Sequence, residues 1–487
     1  METSWANSGE GGGVAERAAA APAAGLDLHL ELAGTRVRAA LEDALRQAVQ
    51  SGRLAAGTRL PATRTLAADL GVARNTVADA YGQLVAEGWL AARQGSGTRV
   101  AEHAAVPGAP PASPSPPALP GSEPRAPLYD LRPGVPDLSE FPRAAWLAAA
   151  RRAVSAAPSA AFGYGDPRGR PELRAALASY LARARGVRAT PDQIMICSGF
   201  SQGLSLLCRV LAASGAPAMA VEAFGHQYHR DLIAAQGLSA RPVPVDDRGA
   251  VTDALGQVPG AGAVLLTPSH QFPLGVPLAP ARRSQAVRWA ARTGAVVIED
   301  DYDGEFRYDR RAIGAMQALA PEHVVYAGTA SKTLAPAVRL AWLVLPGRLL
   351  ADVVAARSFT DRHGSSLDEL TLAEFIASGG YDRHVRRSRL RYRRRRDRLI
   401  GALAQVRPGP RVTGLAAGLH AVLHLPPGRA EADVVAAAAA RGLAVDGMRG
   451  YRPPGIDHPE ALVLGYGTPP AHAFTAAVTR LRAVLEE

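Results

Sequence analysis

Of the 55 lysine and arginine residues in the chain, residue 332 alone is lysine and the other 54 are arginine. Under so strong a bias, any position that a guanidinium can serve tends to become arginine. Lys332 therefore marks a position where arginine does not serve. A guanidinium stays protonated in proteins, with a pKa above about 12, whereas a desolvated ammonium can lose its proton and become an amine that attacks an aldehyde. The plainer reading, a surface lysine that survived by chance, stays open until its neighbours are considered. Those neighbours lie in YAGTASKTLAPAVRLAW, where Thr329, Ser331 and Arg339 surround Lys332. Hydroxyls and a guanidinium around one amine can hold a phosphate while the amine reaches an aldehyde.

Three further segments carry matching chemistry. In CSGFSQGL, Gly199 follows an apolar strand and leads into a helix whose first backbone N–H groups suit an anion, with Ser201 and Gln202 as side-chain donors. In VVIEDDYDGEF an apolar strand delivers Glu299, Asp300 and Asp301 to its carboxyl end. A carboxylate beside a pyridine nitrogen keeps that nitrogen protonated and makes the ring an electron sink. A solvated acidic loop or a metal-binding pair explains the same three residues taken alone. TPSHQFPLG reads as a strand end and turn facing the same place. Taken together, the four segments describe a site for a phosphate-bearing pyridine cofactor.

Such residues need elements to hold them. From residue 128 to the end, short apolar runs such as AVLLT, AVVIED and HVVYAGT alternate with Ala/Leu/Arg-rich helical stretches, the pattern of an α/β domain with a mainly parallel sheet. Residues 104–127 are dominated by proline and small residues and read as a semi-rigid linker. Residues 1–29 read as a disordered tail. Between them, residues 30–103 form a compact basic segment. A helix over residues 36–50 is followed by TRTLAADLGVARNTVADAYGQLVAEGWL. There Thr63 can cap a short helix with Leu66, Ala67 and Leu70 inward, Gly71 makes the turn, and a second helix from Arg74 buries Val77, Tyr81 and Leu84. WLAARQGSGTRVA then reads as two short strands around a tip at residues 94–97, a wing. The start of the second helix places Arg74, Asn75 and Thr76 at base edges or flanking phosphates. Arg64 and Thr65 suit the DNA backbone, and Gln94 and Ser96 lie on the wing tip. Helix pairs of this kind also occur in proteins that never touch DNA.

Residues 36–100 closely resemble the GntR type of winged helix-turn-helix, through SGRLAAGTRLPATRTLAADLGVARNTV and YGQLVAEGWLAARQGSGTRV. Residues 128–487 resemble a fold type I aminotransferase domain with a large and a small subdomain, through FGYGDPRGRPELRAALASYLARARGV and the four segments above. The combination resembles the MocR class of regulators. This resemblance implies pyridoxal 5'-phosphate held by Lys332 as a Schiff base, with Asp300 on the pyridine nitrogen and Tyr302 on the ring oxygen. It further implies His226 stacked on the ring, and Thr329, Ser331, Arg339 and the Phe200-Ser201-Gln202 turn around the phosphate. Tyr164 is similar to the tyrosine that reaches a partner subunit's phosphate, which implies a homodimer, with domain swapping as one arrangement. Two departures stand out. Phe272-Pro273-Leu274-Gly275 replaces the usual Asn-Pro-x-Gly turn, and ALVLGYG carries no arginine where transaminases hold the substrate carboxylate.

The whole chain sets wider bounds. Its 487 residues exceed one hydrophobic core, and no apolar run approaches the roughly 20 residues of a membrane span, so a cytoplasmic protein of several domains is expected. Cys197 and Cys208 lie in apolar surroundings and read as buried thiols, and no metal site is expected. A net charge of +11 favours a polyanionic partner such as double-stranded DNA. The arginine-rich residues 383–399 read as a solvated helix face or as a further contact to DNA. The expected function is a DNA-binding transcriptional regulator responding to pyridoxal phosphate, or to an amine or amino acid condensing with it, in vitamin B6 or amine metabolism. The alternatives are a working aminotransferase with an accessory DNA-binding module and a cofactor-free dimerisation scaffold.

Overall fold

The computed structural model describes residues 36–93, 97–102, 127–308, 313–407 and 409–487. The tail assigned to residues 1–29, the linker except residue 127, and the wing-tip residues Gln94 and Ser96 lie outside the described residues. The chain forms two compact units, Met1–Pro124 and Arg125–Glu487.

In the first unit, α1 (Val37–Gln50), α2 (Thr63–Leu70) and α3 (Arg74–Ala86) precede an antiparallel pair, β1 (Leu90–Arg93) with β2 (Gly97–Val100). Apolar residues at helical spacing bring Leu41, Leu45, Leu66, Val77, Tyr81 and Leu84 into one core with Leu90 and Val100 from the wing strands. Burying each such leucine contributes about 1.5–3 kcal/mol. Between α2 and α3 the chain turns at Gly71, whose φ of +63° is a left-handed conformation that glycine adopts without a Cβ clash. The expected cap at Thr63 is corrected: the helix already includes Thr63, and Ala62 precedes it with no side-chain cap. Tyr81, on α3, ties down the segment leading into α2 by donating to the Pro61 carbonyl at 3.1 Å.

The second unit is built on a seven-stranded mixed sheet. In chain order its elements are β3 (Ile194–Cys197), α4 (Phe200–Ala213), β4 (Ala218–Glu222), α5 (Gln227–Ala235), β5 (Ser239–Val243), β6 (Ala261–Leu266), α6 (Pro280–Thr293), β7 (Val296–Asp300), β8 (Val324–Thr329) and β9 (Ala341–Val344). The strand order is β3-β9-β8-β7-β6-β4-β5, with β9 antiparallel to both neighbours and the other pairs parallel. Strands β3, β4, β7 and β8 are buried at every position, as expected for a sheet covered on both faces. Leu207, Ile298 and Leu343 belong to one core, and Val264, Val297 and Trp289 to another. Because β3, β4, β6, β7 and β8 run in the same direction, their carboxyl ends open on one edge, where open α/β sheets place ligands.

The chain continues through α7 (Gly380–Leu403) into a four-stranded antiparallel sheet. Its strands β10 (Arg411–Thr413), β11 (His420–His424), β12 (Asp446–Gly447) and β13 (Ala461–Gly465) are ordered β10-β11-β13-β12, and α8 (Ala471–Glu486) covers it. The arginines of residues 383–399 do not all face solvent. Arg395 is buried, pairs with Asp137 at 2.6 Å and donates to the Pro469 carbonyl at 2.7 Å. Cys197 and Cys208 are buried free thiols. Among the described residues no helix is long and apolar enough to cross a membrane.

Candidate cofactor site

A cavity of about 220 Å³ opens where the parallel strands end. Its wall includes Phe200, Ser201, His226, Asp300, Tyr302, Thr329, Ser331, Lys332 and Arg339, nine of the residues singled out in the sequence. At one end β3 runs out into Gly199, with φ +101°, before α4 begins at Phe200. A Cβ on Gly199 would lie 3.0 Å from Nη1 of Arg339, so glycine lets the guanidinium reach the start of the helix. Arg339 itself sits at φ +54°, a left-handed conformation that costs a non-glycine residue about 1–2 kcal/mol. Thr329 and Ser331 form a closed pair: the Thr329 hydroxyl donates to Ser331 Oγ at 3.0 Å and accepts from the Ser331 N–H at 3.1 Å.

Strand alternation separates the three acidic residues of β7 and its end. The Glu299 carboxylate accepts from the backbone N–H groups of Met316 and Gln317 at 2.7 and 2.9 Å, and Asp301 pairs with Arg185 at 2.6 Å. Asp300 faces the cavity and has no hydrogen bond among the described residues. Burial pushes its carboxyl up to about 8, with Lys332 pulling the other way. The Lys332 ammonium donates to the Gly134 carbonyl at 2.5 Å. Burial lowers its pKa, against the pull of Asp300 and Asp303. That is the shift an amine nucleophile requires.

His226 stacks on Phe272 at 4.2 Å and is pushed down to about 3, chiefly by burial. His229 falls to about 4 for the same reason, so both imidazoles are neutral. The Tyr302 hydroxyl lies 3.1 Å from Nδ1 of His270, which lies 2.8 Å from Asp303 Oδ2. A Cβ on Gly418 would come within 2.3 Å of the His270 ring, so that glycine makes room for the imidazole. Among the described residues His270, Asp303 and His420 bring potential metal-ligating atoms within 4.8 Å of one another. Nδ1 of His270 is held by Asp303 and Nε2 of His420 lies 3.0 Å from the Pro273 carbonyl, while Nε2 of His270 is buried with no hydrogen-bond partner among the described residues.

One side chain turns away from the place the sequence suggests, and one residue expected at a partner's site lies outside this chain's own cavity. Gln202 does not line the cavity. Its carbonyl accepts from the Ser198 N–H at 2.7 Å and its amide donates to Asp361 at 2.5 Å, so the side chain turns back across the start of α4. Tyr164 is 82% exposed, with the Arg362 guanidinium 4.5 Å above its ring, and lies away from this chain's own cavity. Residues that the sequence reading missed also line the cavity: Gly134, Glu222, Phe224, His229, Arg230, Thr267 and His420. Thr267 opens the segment TPSHQFPLG, and His229 and Arg230 lie three and four residues beyond His226, but nothing in the local pattern marks these residues as lining a cavity. In the first unit, Arg64, Thr65, Arg74 and Asn75 are exposed and Thr76 is half-buried at the start of α3.

A fold type I cofactor domain carried on one chain with a winged helix-turn-helix defines an aminotransferase-like class of DNA-binding regulator. Comparison with known proteins agrees. The family model for aminotransferase class I and II matches residues 130–452, and that for bacterial regulatory proteins of the gntR family matches residues 38–100. The chain is 33% identical to the HTH-type pyridoxine biosynthesis transcriptional regulator PdxR of Corynebacterium glutamicum, over 89% of this chain and 92% of that protein. It is 34% identical to the probable rhizopine catabolism regulatory protein MocR of Rhizobium meliloti, over 73% of this chain and 74% of that protein. Among solved structures, an archaeal alanine:glyoxylate aminotransferase shares the fold with a TM-score of 0.66 at 24% identity, covering 74% of this chain and 90% of that one. The chain belongs to the MocR-type subfamily of GntR transcriptional regulators.

The cofactor implied by this fold is pyridoxal phosphate, and the cavity fits it. Asp300 is a buried carboxyl without a donor of its own, which a pyridine N–H would supply, and the Gly199 cradle leaves room for a phosphate beside Arg339. Bound there, the group supplies an aldehyde that a primary amine can hold covalently.

Proposed function

We propose that this protein is a DNA-binding transcriptional regulator whose DNA affinity is set by pyridoxal phosphate at Lys332, or by an amine or amino acid that condenses with it. One observation carries the reading: Lys332, Asp300, Tyr302, Thr329, Ser331 and Arg339 line one cavity on a chain that also carries a GntR-type DNA-binding unit. Lys332 holds the aldehyde, Asp300 the pyridine nitrogen, His226 a ring face, and Arg339 with the two hydroxyls the phosphate. Within the run ALVLGYG, which resemblance puts where transaminases carry the arginine for the substrate's carboxylate, Val463 is buried in a cluster with Phe224, Phe272 and Tyr451. A carboxylate placed against that cluster would lose its hydration without compensation, which disfavours ordinary amino-acid turnover.

Arg64, Thr65, Arg74, Asn75 and Thr76 make the DNA contacts in this reading. The protein acts as a cytoplasmic homodimer, with Tyr164 completing the partner's phosphate site, in control of vitamin B6 or amine metabolism. The test is binding to DNA upstream of the protein's own gene, titrated with pyridoxal phosphate and then with amines. A change in DNA affinity is expected, with no sustained amino-group transfer to keto acids. Unchanged affinity, or steady turnover, would overturn the reading.

A further inference from the structure

Behind the cavity wall, Tyr302 stands against a buried pair drawn from two segments. Its hydroxyl lies 3.1 Å from Nδ1 of His270, and the same nitrogen lies 2.8 Å from Asp303 Oδ2. His270 is 3% exposed and Asp303 2%. Gly418, at φ +71°, makes room for both, since a Cβ there would collide with the imidazole and with the Asp303 carboxylate. Nε2 of His270 is buried with no hydrogen-bond partner among the described residues. The tautomer follows: a proton on Nδ1 is received by Asp303, whereas a proton on Nε2 would be a buried donor with nothing to receive it.

This tautomer decides where Tyr302 directs its own proton. With its hydrogen aimed at Asp303, Nδ1 has no lone pair in the ring plane to accept from the phenol, and the phenol oxygen can only share in the Nδ1–H bond. The Tyr302 O–H is left to donate into the cavity, whose wall Tyr302 helps to form. Burial, with Asp303, Asp300 and the β4 carboxyl of Glu222 adding to it, holds the phenol pKa well above its usual value, so the donor keeps its proton. His420, from β11, tilts against His270 at 4.8 Å and is kept neutral by burial. The neighbouring turn offers no substitute donor. Phe272, edge-on to Tyr302 with ring centres 6.1 Å apart, has no hydrogen-bonding side chain, and Gln271 donates its amide to the Phe224 and Phe272 carbonyls at 3.0 and 2.7 Å.

We infer that the buried His270–Asp303 pair positions Tyr302, fixing its phenol as the hydrogen-bond donor to the ring oxygen of pyridoxal phosphate. Both residues act through Tyr302 and are positioning residues. The inference rests on the reading that Lys332 holds the cofactor in this cavity with Tyr302 at its ring oxygen, and it names what holds Tyr302 there.

The test loads the full chain with pyridoxal phosphate and follows the cofactor's visible absorbance against pH. A donor aimed at the ring oxygen favours the deprotonated form of the lysine-bound cofactor, whose ring oxygen is then a bare anion, so losing the donor raises the midpoint. Tyr302→Phe is expected to raise it by about one unit, the scale of one hydrogen bond to a charged group. His270→Gln, which has no N–H near the place of Nδ1, is expected to raise it as well, and His270→Asn, which has one, to keep most of the native value. Combined with Tyr302→Phe, His270→Gln is expected to add nothing further. Asp303→Asn, nearly unchanged in shape, keeps the test available should His270→Gln fail to fold. It is expected to raise the midpoint, although loss of the carboxylate's field alone would lower it, because Asp303 favours the protonated Lys332 nitrogen. The inference falls if His270→Gln leaves the midpoint unmoved, if its shift is the same with and without the Tyr302 hydroxyl, if His270→Asn does no better, or if Asp303→Asn lowers the midpoint. A stoichiometric divalent ion on the native chain, read by elemental analysis, would make His270 and Asp303 metal ligands with His420 and overturn it too. A native chain that shows no titrating visible band would overturn the role of Lys332 and the inference with it, whereas a normal native band with unresponsive variants overturns the inference alone.

Discussion

At the scale of single residues, Lys332 and Asp300 form a pair whose properties come from burial. Lys332→Gln leaves no amine in the cavity, so borohydride reduction after pyridoxal phosphate is added is expected to fix a covalent adduct on the native chain and none on the variant. Mass spectrometry of the tryptic digest reads this directly; an adduct persisting in the variant would refute the role of Lys332. Asp300 gives a prediction with a definite sign. Its folded pKa of about 8 stands above the unfolded value of about 3.9, so between those values the folded state holds an extra proton. The stability contributed by protonated Asp300 is present at acid pH and is lost as pH rises through this window. In the cofactor-free protein, Asp300→Asn is expected to lessen the fall in melting temperature between pH 4 and 8. Identical pH profiles for the two proteins would contradict it.

At the scale of elements, Gly199 and Gly71 are junctions where backbone geometry decides side-chain placement. Gly199→Ala strains a position at φ +101° and presses a methyl on Arg339. A loss of about 1–2 kcal/mol in stability and weaker pyridoxal phosphate uptake are expected from denaturant titration and from the visible absorbance. On α3, neutralising Arg74 is expected to weaken DNA binding. If Arg74 contacts phosphate, it also reduces the slope of log affinity against log salt by about one unit; if it reads a base, the slope stays and sequence preference relaxes. Unchanged affinity would remove Arg74 from the interface.

Local signals made these elements legible. Apolar spacing located α1 to α3, and strand ends rich in glycine, hydroxyls and charge located Asp300, Thr329, Ser331, Lys332 and Arg339. What escaped depended on distant or neutral geometry. Gly134 meets Lys332 through a carbonyl 198 residues away, and His420 arrives from the small sheet. Asp303 stood within a quoted segment, yet its role beside His270 appears only after folding. The Gln202 side chain is held by Ser198 and Asp361, which its local sequence does not announce, and Thr63 is no cap because the helix starts one residue earlier than a cap there would require.

At the scale of the whole molecule, the claim is that the two units share one equilibrium. If pyridoxal phosphate changes DNA affinity by some factor, thermodynamic linkage requires operator DNA to change the affinity for pyridoxal phosphate by the same factor, with couplings of this kind commonly about 5–150-fold. The most direct test is therefore to titrate the native chain with pyridoxal phosphate, with and without saturating DNA from upstream of its own gene, following the visible absorbance at fixed salt. The account predicts two different affinities whose ratio equals the shift in DNA affinity caused by the cofactor. Equal pyridoxal phosphate affinities with and without bound DNA would contradict it.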